Sequence, residues 1–167
     1  MPTARERLVD TAEALFYADG ITATGVDTVV RAAGVSKPTL YAHFGSKDEL
    51  ISAVLEARHA RRVAELEGVQ DVLAVFDALA EVYAREGARG CAFLNAAAEL
   101  GPGREAIVAE KRWLEALLTR LSGDERLASQ LLLLVDGVAG RVVVHGPEAA
   151  ATALADARRA AEALLAA

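Results

Sequence analysis

Apolar positions recur along this chain with a helical period almost from end to end. Leu8, Ala12, Leu15 and Phe16 share one face of a helix predicted over about residues 3–18, closed by Asp19-Gly20. Val26, Val29 and Val30 mark a second helix over about 26–33. Thr24 and Asp27 read as the capping box that starts it, and Gly34 stops it. Ser36 caps a third helix over about 37–43, too short to be stable alone, so its neighbours must hold it. After Gly45, Ser46 and Glu49 read as a second capping box. They open a helix over about 47–67 with Leu50, Ile51, Val54 and Leu55 as its stripe.

Beyond Gly68 the period persists, but the segments are longer and more apolar. Val72, Val75, Phe76, Leu79 and Tyr83 mark a fifth helix, and Cys91 to Leu100 a sixth, ended by the glycines at 101 and 103. A seventh is predicted over about 104–121, an eighth over about 125–145 up to Gly146-Pro147, and a ninth over about 148–165. The nearest thing to a strand, Val142-Val143-Val144, lies inside the eighth. The expectation is an all-α chain of about nine helices: a tight-turned module at 1–46 and an apolar bundle at 47–167, joined by helix 47–67.

Composition agrees with that pattern. Of 167 residues 53% are apolar and only 5% aromatic, and Ala and Leu dominate, which favours helix. The single cysteine, Cys91, excludes an internal disulfide and suits a reducing cytoplasm. The N-terminus is charged every few residues, unlike a signal peptide, and the longest apolar run, 131–135, is too short to cross a bilayer, so no membrane partner is expected. His43, His59 and His145 share no ligand spacing, and no nucleophile elbow, P-loop or dinucleotide fingerprint occurs. Neither metal nor cofactor is expected. An enzyme would have to draw its chemistry from Cys91, Asn95 and Glu99, and no motif supports one.

The net charge of −6 is a poor match to nucleic acid, yet one segment points that way. Helices two and three, joined by a short Gly-containing turn, read as a helix-turn-helix whose second helix enters the major groove. Lys37 can reach a guanine edge or a phosphate, and Thr39 a base edge or a thymine methyl. Pro38 is tolerated in the first turn, where a missing N–H costs nothing, and offers an apolar edge. Tyr41 and His43 can donate to phosphates, and Lys47 opens the next helix at its positive end. Residues 1–47 carry five basic and five acidic side chains, so the module is neutral and a dimer is needed for useful specificity.

The stretch TGVDTVVRAAGVSKPTLYAHFGSKDELISAVL, residues 24–55, resembles the DNA-binding domain of the TetR family of bacterial transcriptional regulators, and the likeness runs from about residue 5. The resemblance implies that Thr24, Lys37, Pro38, Thr39, Tyr41, His43 and Lys47 sit where members touch double-stranded DNA. Ser36, a helix cap, is a further candidate phosphate contact. Two departures stand out. Gly25 replaces a common Ser or Thr, and Val30-Arg31 replaces the more usual Ala and acidic or small residue.

The resemblance also implies a homodimer, most simply a repressor released from a palindromic operator when a small molecule in the bundle repositions the fourth helix. With few charges expected inside, the effector is expected to be apolar. Cys91, Asn95 and Glu99 fall on one helical face and are candidate pocket residues, with Phe76, Tyr83, Trp113 and Leu117. Nothing in the sequence marks Cys91 as a redox sensor. Arg58, Arg61 and Arg62 read as a solvated face paired with Glu56 and Glu65. The eighth and ninth helices, through Leu127, Leu131, Leu134, Val138, Val142, Leu154, Ala157, Ala161 and Leu164, are expected to form a four-helix dimer interface, with Gly137 and Gly140 allowing close approach. Such a protein would work in the bacterial cytoplasm, on the nucleoid when bound to DNA.

Overall fold

The computed structural model describes residues 2–86 and 89–167, among which there are nine helices and no strand. They are α1 (Ala4–Asp19), α2 (Val26–Ala33), α3 (Lys37–His43), α4 (Lys47–Glu65), α5 (Val72–Glu86), α6 (Ala92–Leu100), α7 (Glu105–Ser122), α8 (Glu125–His145) and α9 (Ala149–Leu165).

The caps differ in detail from the expected ones. The complete capping box belongs to α1: the Thr3 hydroxyl accepts from the Glu6 N–H at 3.2 Å, and the Glu6 carboxylate accepts from the Thr3 N–H. On α2 the N-cap is Gly25, with no side-chain bond, so Thr24 does not cap it. Thr24 is buried instead, and its hydroxyl donates back to the Gly20 carbonyl at 2.7 Å. Ser36 caps α3 by accepting from the Thr39 N–H. Ser46 caps α4, but Glu49 accepts from the Gly45 N–H rather than from Ser46, which shifts the box by one residue. Gly34 takes the left-handed conformation (φ 65°, ψ 37°) that lets α2 end and α3 depart within three residues.

Two apolar cores result. The first joins Leu8, Ala12 and Phe16 of α1 to Val29, Leu40, Phe44 and the start of α4, and it recruits Phe93 and Ala96 of α6 and Ile107 of α7. The second fills the bundle with Phe76, Leu79, Leu114, Leu118, Leu131, Val138, Leu154 and Ala161. The first core therefore runs past residue 46 and into the body of the bundle.

In the α8–α9 pair, most of the residues expected at a dimer interface serve the core of the single chain. Leu131, Val138, Val142, Leu154, Ala157 and Ala161 are buried within the single chain, where they close α8 and α9 against each other and against α5 and α7. Leu127, Leu134 and Leu164 are half-buried. The outer face of α8 instead carries Leu133 and Val144, 70% and 75% exposed, with Gly137 and Gly140 between them and open space beyond both glycines. By length and composition α8 could also cross a membrane, with a mean hydropathy of 1.7. Here it lies along α7 and α9.

Candidate DNA-binding interface and the cavities behind it

The recognition surface is built on a helix of seven residues, and Leu40 is its anchor, fully buried in the first core. With Leu40 turned in, Lys37, Pro38, Tyr41 and His43 turn out, Tyr41 being 44% exposed. Thr39 is half-buried and its hydroxyl lies 2.7 Å from that of Ser36. Lys37 is paired with Asp27 of α2 at 2.9 Å. That hydrogen bond and charge hold the ammonium above its ordinary range, so it is charged at any physiological pH. Asp27 lies ten residues upstream, and no local pattern betrays the pair. The Arg5 guanidinium stands 5.2 Å from the centre of the Phe44 ring, next to His43, and brings to this face a cation that sequence reasoning missed.

Two of the expected DNA contacts make hydrogen bonds within the chain. Thr24 is buried, as described above. Lys47 donates to the Ile21 carbonyl at 2.6 Å and lies over the Phe16 ring, tying α4 to the turn after α1. In this conformation it serves the packing of the head.

That turn is clamped from the other side by Glu99 of α6. Its carboxylate accepts from the Ile21 N–H (3.1 Å), the Thr22 N–H (2.8 Å) and the Thr22 hydroxyl (2.5 Å). Burial alone would raise its pKa. The Thr22 and Ile21 hydrogen bonds and the Lys47 charge outweigh it and leave Glu99 below the ordinary carboxylate value. Nearby, Tyr17 donates to the Gly90 carbonyl at 3.1 Å and Asn95 to the Arg89 carbonyl at 2.9 Å. Glu99 and Tyr17 thus join head to bundle, while Asn95 holds the segment that leads into α6.

The expected pocket residues divide accordingly. Asn95 and Glu99 line a small cavity under the head, between α1, α4 and α6, of about 30 Å³. Tyr83 and Cys91 line a second, deeper in the bundle, of about 20 Å³. Either holds one water at most, far below the several hundred Å³ of a preformed ligand pocket. Phe76 and Leu117 are core, and Trp113 lies edge-on to His59, ring centres 5.4 Å apart, so these three do not line the two cavities.

The second cavity is also more charged than expected. Glu110, only 2% exposed, meets His59 of α4 at 2.5 Å. Arg58 and Arg62 of α4 turn inward and line it with Lys111, which is paired with Asp136 and lies 4.0 Å from the Cys91 sulfur. The arginine cluster is therefore not simply a solvated face. Arg58 and Arg61 both reach Glu13 of α1, Arg58 at 2.8 Å.

Comparison with known proteins follows the same division. Residues 8–54 match the model of the bacterial regulatory proteins, tetR family. SCO4454, a TetR-family transcriptional regulator from Streptomyces coelicolor, superposes with a TM-score of 0.85 at 31% identity, over 99% of this chain and 90% of that one. The transcriptional repressor ComR of Escherichia coli is 32% identical over 77% of this chain. The transcriptional activator FasR of Mycolicibacterium smegmatis is 44% identical over 41% of it. These stretches span 63% of ComR and 30% of FasR, less than two thirds of either. A likeness that takes in the helix-turn-helix and nearly all of a solved regulator settles the assignment: this chain belongs to the TetR family of bacterial transcriptional regulators, and it is a DNA-binding protein, not an enzyme.

Proposed function

We propose that the chain acts as a homodimeric, effector-released repressor on a palindromic operator. The carrying observation is the outward set Lys37, Pro38, Tyr41 and His43 on a helix held from behind by Leu40. Residues 1–46, with the start of α4, are the head. The rest binds the effector and the second subunit. The exposed α8 face, Leu133-Gly137-Gly140-Val144, supports a dimer, since an apolar patch of that kind on a monomer marks an interaction surface. Two recognition helices about 34–36 Å apart would enter successive major grooves. The proposed setting is the cytoplasm, on the nucleoid, with no membrane partner.

The test is anisotropy binding to DNA from upstream of the chain's own gene, with nonspecific competitor and a salt series. Wild type should bind tightly and resist competitor. The Lys37→Ala, Tyr41→Ala double variant should lose about tenfold or more in affinity. Equal binding of both proteins to operator and random DNA would sink the reading.

A further inference from the structure

We propose that the cavity bounded by α4, α5 and α7 is the effector site, and that it takes a small amphiphilic organic anion, a carboxylate on an apolar body. This rests on the effector-release reading above and names the chemistry of its ligand. Three cations, Arg58, Arg62 and Lys111, line the cavity against one carboxylate, Glu110. Glu110 is already engaged by His59, Arg58 by Glu13 and Lys111 by Asp136. Arg62 differs. Its side chain is 12% exposed, and its ion pair among the described residues is a long one, 3.8 Å from Nε to Glu65, whose other oxygen is taken by Arg85. A largely buried guanidinium with so distant a partner is costly to keep, and an anion entering the cavity would relieve that cost.

The rest of the lining fits the same class. Burial pushes the Tyr83 phenol above its ordinary value, so it stays protonated and can donate to an anion. Leu79, Val82, Leu114 and Val135 supply an apolar wall. A cationic ligand would be repelled by the poorly paired Arg62, and a neutral one would leave Arg62 as it is. The cavity measures about 20 Å³, so it must widen to admit a ligand, and α4 and α7 are two of its walls. Arg58 and Arg62 ride on the far half of α4, whose other end starts beside α3. Entry therefore displaces the helix that carries the head, and the ligand acts through its different affinity for the two positions.

The experiment uses two matched sets at about pH 7, where the acids are ionised: octanoate, octanol and octylamine, and benzoate, benzyl alcohol and benzylamine. Trp113, the only tryptophan and a neighbour of His59, reports binding by fluorescence, and operator anisotropy reports release. In at least one set the carboxylate should bind about tenfold or more tightly than its partners and raise the operator Kd by about tenfold or more. Arg62→Met should remove the carboxylate's advantage while leaving Tm unchanged or higher, because methionine replaces a poorly paired charge. Arg62→Lys should keep part of it. The proposal is overturned if neither carboxylate binds, if alcohol or amine matches it, or if Arg62→Met lowers Tm and keeps the preference. Carboxylate binding that leaves operator affinity unchanged upholds the ligand class and overturns the effector reading instead.

Discussion

Lys37 and Lys47 are ten residues apart and face opposite tasks. Lys37 leans on an exposed aspartate that a phosphate can replace, whereas Lys47 is spent on the Ile21 carbonyl. Lys37→Met should therefore cut the salt slope of operator binding by about one and barely move Tm. Lys47→Met should lower Tm by about 2–4 °C, for roughly 1 kcal/mol of lost hydrogen bond, with the salt slope intact. Salt titrations beside thermal melts separate the two. Glu99 makes a pH prediction. Its folded pKa lies below the ordinary carboxylate value of 4.5, so the stability it contributes is present above that value and drains away as pH falls through the folded pKa. Glu99→Gln should melt lower than wild type at pH about 7, and the gap should close as pH falls through the folded pKa, below 4.5. A constant gap down to acid would show that the charge is not what holds the turn.

Among elements, helix limits were the most legible part of the chain. The 3.6-residue period and the glycine stops placed all nine helices to within a few residues, because those signals are local. Caps were legible only where the partner is a near neighbour, as at Ser36. The Thr24–Asp27 pattern looks like a capping box, yet Thr24 is drawn under the turn by the Gly20 carbonyl and the bare Gly25 takes the cap. Asn95 and Glu99 were legible as one helical face, whereas Cys91, grouped with them, is the N-cap before α6 and lines the other cavity. What that face meets was not, because burial of Phe93 and Ala96 in the first core decides how α6 is rolled. Gly90 shows the same dependence on distant chain. Its φ is +80°, and a Cβ there would lie 3.0 Å from the Ala139 carbonyl oxygen and closer still to Val143. Gly90→Ala should push the α5–α6 junction off α8 and cost about 1–3 kcal/mol, read in denaturant melts, with no DNA contact touched.

For the whole molecule, we propose that the two faces of α8 divide the work between core and assembly. One face closes the monomer core; the other exposes Leu133 and Val144 across two glycines. The Leu133→Glu, Val144→Glu double variant should stay helical by circular dichroism, run as a monomer by light scattering, and lose operator affinity by about a hundredfold or more, as one half-site remains. A dimer that survived both charges would move the interface elsewhere. The sequence shows that α8 and α9 carry apolar stripes but not which residues of a stripe the chain's own core claims first: Leu131, Val138, Val142, Leu154, Ala157 and Ala161 are buried within it.

The first core has a practical consequence for anyone building chimeric biosensors from this protein. A domain swap cut at residue 46 would strip the head of Phe93, Ala96 and Ile107 and leave the Ile21 and Thr22 amides without Glu99. The transplantable unit is the head together with α6 and the first turn of α7. A fusion that respects that seam carries its own floor with it, and one that ignores it exchanges a regulator for an unfolded head on an intact bundle.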